Sequence, residues 1–145
     1  MDAAAQERER KMYQAYNKIS TIYASGAPVV FNATKFTDCR INATNGTTFT
    51  LARSGRYQVS FNGVGSSATA GSTFGVVLQQ NESALPETQS TITSAAADDA
   101  NALSFSTVIR VLPSCAAISN TVNLQVVTTA AGALANANLV ITKLG

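Results

Sequence analysis

The side chains able to do chemistry in this sequence are few, and their spacing does not suit them to it. Histidine is absent, which removes the commonest general base and the commonest metal ligand together. Ser54 and Ser60 have no histidine and no evident lysine to take a proton, so neither reads as an activated nucleophile. Glu82 and Glu87 have the types of a general acid and base, but they flank Pro86 in a polar run and read as carboxylates of a strand connector. Asp98-Asp99 is the only adjacent acidic pair. Two carboxylates without further acidic neighbours or a turn glycine make a poor calcium cage, so they read as solvated turn residues. Cys39 and Cys115, 76 positions apart, exclude a CxxC motif. They fit either two separate buried thiols or a disulfide joining neighbouring strand ends. No catalytic residue, cofactor site or metal site emerges, and the expectation is a protein that is not an enzyme.

Composition narrows the remaining classes. The chain has 145 residues, enough for one domain with a real core. It is 46% hydrophobic and 12% charged, too apolar and too weakly charged for a disordered chain. A net charge of +2 gives no electrostatic reason to expect nucleic acid. Lys35, Arg40, Arg53, Arg56 and Arg110 are scattered rather than grouped with aromatics, which points the same way. No run of about 18 apolar residues is present, so no membrane insertion is expected. The first residues lack a basic stretch leading into an apolar one, so no secretory signal is expected, and a cytoplasmic product or one released by lysis is. The sequons opened by Asn32, Asn42, Asn45 and Asn81 are what a chain rich in Asn, Ser and Thr produces by composition.

Residues 1–26 differ in kind from the rest. Seven of the 18 charged residues fall in residues 1–18, namely Asp2, Glu7, Arg8, Glu9, Arg10, Lys11 and Lys18. No Gly or Pro interrupts the stretch before Gly26, and Met12, Ala15, Ile19 and Ile22 follow a 3, 4, 3 spacing with Tyr16 and Tyr23 flanking the same side. The spacing predicts an amphipathic helix over about residues 1–23, followed by a linker. So short a helix is marginal alone, so Met12, Ala15, Tyr16, Ile19, Ile22 and Tyr23 are expected to pack on sister chains or on a larger surface, as an anchor or a trimer stalk.

From Ala27 to Gly145 the pattern is that of strands. Tyr57, Val59 and Phe61 alternate with Arg56, Gln58 and Ser60, and Phe74, Val76 and Leu78 repeat the alternation. Gly55 stands where a loop must turn into the strand, a place for positive φ. Asn62–Ser72 reads as a bridge of small residues. Asn42–Thr47 reads as a loop, in which Asn45-Gly46 is a hairpin turn signal ahead of the Phe49 strand. Val29–Phe31 reads as a short strand entry and Gln89–Thr93 as a possible short strand. Leu103, Phe105, Ile109 and Val111 share a face, Thr121–Val127 alternates, Ala130–Ala133 reads as a turn, and Asn138–Leu144 closes the chain. About eight to ten short antiparallel strands result, an all-β sandwich with Phe49, Gly55, Tyr57, Val59, Phe61, Phe105 and Ile141 in its core or interface.

Phe49, Gly55-Arg56-Tyr57-Gln58-Val59-Ser60 and Gly75-Val76-Val77-Leu78-Gln79-Gln80-Asn81 together resemble the jelly roll of tumour necrosis factor and of the globular heads of complement collagen-tailed proteins. Asn138-Leu139-Val140-Ile141-Thr142-Lys143-Leu144 looks like the last strand of exosporium filament head domains and related phage-encoded domains. The resemblance spans Ala27 to Gly145 and implies two five-stranded sheets in jelly-roll order and a tight homotrimer. The chain lacks collagen-like Gly-x-y repeats, and the expected helix takes the place of the stalk. The resemblance and the charged N-terminal stretch together imply a trimeric knob on a virion surface, a phage capsid decoration or head fibre bound to a capsid or other particle lattice. The alternative they imply is a spore-surface (exosporium-like) or secreted trimeric complement-head-like module, at a spore or cell surface, that binds a glycan or host receptor.

Overall fold

The computed structural model describes residues 12–37, 41–112 and 121–144. Within them the strands are β1 (Met12–Asn17), β2 (Thr21–Tyr23), β3 (Ala33–Phe36), β4 (Ile41–Thr44), β5 (Thr48–Leu51), β6 (Gly55–Ser66), β7 (Thr73–Gln80), β8 (Ser83–Ala84), β9 (Ser90–Thr93), β10 (Asn101–Val111), β11 (Val122–Thr128) and β12 (Gly132–Lys143). They form two six-stranded sheets rather than five-stranded ones. The first runs β10-β6-β12-β1-β3, with β2 also on β12; the second runs β4-β5-β11-β7-β8, with β9 also on β7. The chain changes sheet between β3 and β4, β5 and β6, β6 and β7, β9 and β10, β10 and β11, and β11 and β12, so strands distant in sequence lie side by side. This is an all-β jelly-roll sandwich. Among the described residues the only helical turn is a 3-10 turn at Pro86–Thr88.

The expected N-terminal helix is corrected where it can be seen. Met12–Asn17 is a strand between β12 and β3, with Tyr13 opposite Ile141 and Ala15 opposite Leu139. Its burial has period two: Tyr13, Ala15 and Asn17 face the core, and Met12, Gln14 and Tyr16 face outward. Met12 and Ala15, one stripe on a helix, therefore lie on opposite faces of the sheet. Thr21–Tyr23 is a second short strand on β12. Ile19 and Ile22 are 64% and 85% exposed, so they do not share a packed stripe with Ala15. The stretch fits both periods, and the two vacant ladders beside it decide in favour of the strand, which two tyrosines also suit. Residues 1–11 of the expected helix, and Cys39 and Cys115, lie outside the described residues.

Smaller corrections have local causes. β6 runs on through Asn62–Ser66 instead of ending in a bridge. Its small residues are strand positions onto which neighbours close down: a Cβ on Gly63 would meet the Leu134 side chain at 3.2 Å, and one on Gly65 would meet Leu103 at 2.6 Å. β12 starts at Gly132, within the expected turn, and a bulge between Ala135 and Asn138 lets it continue. Asn42–Thr44 belongs to β4, and Val29–Phe31 lies just ahead of a strand that begins at Ala33.

Asn45 and Gly46 make the tight β4–β5 turn with φ of 56° and 67°, the type I′ pattern of a two-residue hairpin. A Cβ on Gly46 would lie 2.6 Å from the Phe31 carbonyl oxygen, whose own N–H donates to the Gly46 carbonyl. Gly46→Ala is therefore expected to destabilise the fold by about 1–3 kcal/mol, measured by chemical denaturation. An unchanged midpoint would show that the turn can relax away from Phe31.

The core lies between the sheets. Tyr13, Phe31 and Phe61 are linked edge-on through Phe49 and Phe31, with centroids 5.6, 5.7 and 6.3 Å apart, and Phe61 stacks on Phe105 at 5.3 Å. Buried polar groups are placed where the ladders leave backbone groups over. Thr88 Oγ1 accepts from the Leu78 N–H and donates to the Leu85 carbonyl, and Ser94 Oγ accepts from the Ser67 N–H.

Candidate functional site

Two outward faces remain once the core is assigned. On the first sheet the outward residues align in rows: Val108–Gln58–Thr142–Met12, then Ser106–Ser60–Val140–Gln14–Phe36, then Ser104–Asn62–Asn138–Tyr16. None of these is charged. One row further on, Arg110 stands opposite Arg56, two exposed like charges at the end where β1 begins. At the opposite corner the β12 bulge leaves a recess of about 490 Å³ lined by Gln14, Tyr16, Lys18, Lys35, Asn136, Ala137 and Asn138. There Gln14 Nε2 donates to Asn138 Oδ1 at 2.8 Å, and Lys18 Nζ sits 5.8 Å from the Tyr16 ring centre.

The second sheet carries a shallow polar groove of about 400 Å³ lined by Thr44, Thr48, Thr50, Gln79, Asn81, Glu82, Asn123 and Gln125. The strand period puts Thr48 and Thr50 outward because Phe49 and Leu51 go in, and Asn123 and Gln125 outward because Val122, Leu124 and Val126 go in. Cross-strand bonds hold these side chains: Thr50 Oγ1 donates to Asn123 Oδ1 at 2.8 Å, and Gln125 Nε2 to Thr48 Oγ1 at 2.8 Å. The β7–β8 turn forms one wall, where Asn81 Oδ1 accepts from the Asn123 N–H at 2.9 Å.

The residues singled out in the sequence do not converge on either face. Phe49, Tyr57, Val59, Phe61, Phe105 and Ile141 are buried between the sheets. Gly55 opens β6 with a φ of 140°. Of the expected anchor residues, Met12 and Tyr16 lie on the outer face of the first sheet, Ala15 and Tyr23 are buried, and Ile19 and Ile22 are exposed. Ser60 Oγ meets Ser106 Oγ at 3.2 Å, while Ser54 lies in the turn before β6. Glu87 lies in the 3-10 turn, and Asp98-Asp99 in an exposed loop where the Asp98 N–H donates to the Ser67 carbonyl. Burial pushes the Tyr13 phenol above its ordinary pKa, so it stays protonated. Among the described residues no group of three or more His, Cys, Asp or Glu could hold a metal ion, and no helix is long and apolar enough to cross a membrane. Of the eight groove residues the sequence had singled out Asn81 as a sequon, Glu82 as a connector and Gln79 within the family-like run, and had placed Thr44 in a loop; the signal for the others was the polar half of each alternating strand.

No protein-family model matches this chain, and no curated protein sequence does. Solved structures share its fold at low identity. The globular domain of the zebrafish complement 1qA protein superposes with a TM-score of 0.70 at 12% identity, covering 93% of this chain and 98% of that one. Eiger TNF from S. frugiperda gives 0.69 at 14% identity, covering 94% of each chain. The PRD1 vertex protein P5 gives 0.56 at 11% identity, covering 94% of this chain and 98% of that one. The fold is the jelly roll these three share.

Proposed function

We propose that this chain is a structural surface protein, a homotrimeric knob on a phage virion that serves as a capsid decoration or head fibre. The observation that carries the reading is the uncharged outer face of the first sheet. A sheet face left in water ordinarily carries polar side chains throughout. The centre of an interface is depleted of charge and enriched in aromatic residues and methionine, and this face presents Met12, Tyr16 and Phe36. Here three full rows across four strands carry none, and Val108 lies 54% exposed at the end of one. Sister copies, two per subunit in a closed ring, are the occupants that suit so even a surface. Likeness in fold to the PRD1 vertex protein supports the particle setting. Attachment then falls to the charged residues that precede Met12 in the sequence (Asp2, Glu7, Arg8, Glu9, Arg10 and Lys11).

The wild-type protein is expected to sediment as a trimer at micromolar concentration, with a melting temperature that rises with protein concentration. Val108→Lys, a change at an exposed position, should give folded monomers with unchanged circular dichroism. A monomeric wild type, or a variant that still trimerises, would move the interface off this face. A spore-surface or cell-surface module is the second reading, favoured by the polar groove on the other sheet. Capsid and portal genes beside the coding sequence would separate the two.

A further inference from the structure

We propose that the groove across β4, β5, β11 and β7 binds a saccharide. The lining is all amide and hydroxyl apart from one carboxylate, Glu82. No aromatic, Leu, Ile or Val side chain lines it, so an apolar ligand finds nothing larger than threonine methyls and amide side-chain stems, and anions such as phosphate find no cation among the lining residues. A single carboxylate does not make a divalent cation site. What remains in solvent after the cross-strand bonds are made is a mixed set of donors and acceptors. Thr50 occupies Asn123 Oδ1, which leaves the Asn123 Nδ2 as a donor, and Gln125 uses its Nε2 on Thr48, which leaves Oε1 as an acceptor. Gln79, opposite Gln125 in the ladder, adds a further amide. Alternating donors and acceptors, fixed in place before binding, are what a ligand of neighbouring hydroxyl groups requires. The volume of about 400 Å³ suits one or two sugar rings.

The turn beside the groove supplies an independent reason. Asn81 and Glu82 have φ of 50° and 69°, so both central residues of the β7–β8 hairpin are left-handed. The second such position ordinarily takes glycine, and a glutamate there is strained. Strain kept at a site's edge points to a use for the side chain. Here the use assigned to Glu82 is to accept hydrogen bonds from two vicinal hydroxyls, the strongest polar contact the groove can offer. The groove lies on the sheet opposite the proposed trimer face, so a trimer would present three copies outward and gain avidity on a multivalent surface.

The test uses the intact chain. An array of neutral hexoses, N-acetylhexosamines and their disaccharides is screened first, and the bound sugar is then titrated by calorimetry. Gln125→Ala and Glu82→Gln are each expected to weaken binding by about tenfold or more with little change in melting temperature. Glu82→Gly should raise the melting temperature by relieving the turn while abolishing binding, a combination that a merely structural glutamate would not give. The monomeric Val108→Lys variant should keep the solution affinity and lose array signal, so a failed trimer proposal would leave this one intact. Absence of binding across the array, affinity unchanged in both groove variants, or a less stable Glu82→Gly protein would each overturn the proposal.

Discussion

Tyr57→Ala is expected to lower the free energy of unfolding by about 3–5 kcal/mol, the range for removing a buried aromatic ring that its surroundings cannot refill. Tyr57 is 0% exposed, near the start of β6, flanked by Ile109 on β10 and Lys143 on β12. Its hydroxyl reaches back to donate to the Arg53 carbonyl at 2.8 Å, tying the ring to the turn that feeds the strand. Tyr57→Phe keeps the ring and should cost about 1 kcal/mol, the net value of one hydrogen bond. Between these, Gly55→Val should cost about 1–3 kcal/mol, because Gly55 holds a φ of 140° that side-chain-bearing residues rarely adopt. Urea denaturation of the three variants gives the order directly. An alanine variant no less stable than the phenylalanine variant would mean that the ring contributes no packing.

The second large effect separates two deletions at the N-terminus. Removing residues 1–11 should leave a folded protein, still in the proposed trimer, whose melting temperature shifts by only a few degrees, because the charged residues there precede β1 in the sequence. Removing residues 1–23 should abolish folding. That deletion takes away β1 and β2, strips β12 of its ladder partner from Ala137 to Thr142, and removes Tyr13 from its edge contact with Phe49. A buried tyrosine alone is worth about 3–5 kcal/mol, against a total stability of about 5–15 kcal/mol for a domain of ordinary size. Circular dichroism and soluble yield read the outcome. A folded protein lacking residues 1–23 would show that another strand can close the sheet. The shorter deletion also tests attachment: after removal of residues 1–11 the trimer should no longer co-sediment with particles that lack it, and retained binding would place the docking surface on the β domain.

The sequence by itself settled the class of fold and much of its core. Tyr57, Val59 and Phe61, and Leu103, Phe105, Ile109 and Val111, alternate cleanly enough that one face had to be buried, and Asn45-Gly46 could only be a tight turn because so few residue pairs tolerate two positive φ angles. Where a segment's own pattern was ambiguous, the neighbours chose. Met12 to Tyr23 carries apolar residues at spacings that suit a helix and, over Tyr13 and Ala15, a strand; the open edge of β12 and the reach of β3 selected the strand, and no local preference of about 0.5 kcal/mol per residue withstands a full set of ladder bonds. Gly63 and Gly65 read as part of a small-residue bridge, whereas Leu134, Leu103 and Phe74 close down on them as strand positions. The groove was hidden for a related reason. Thr48, Thr50, Gln79, Asn123 and Gln125 sit on three strands spread over about half of the chain, and each reads as an ordinary solvent-facing residue. Only the sheet order, which lays β11 between β5 and β7, brings them together, because pairing between strands is a long-range property that composition and spacing do not carry.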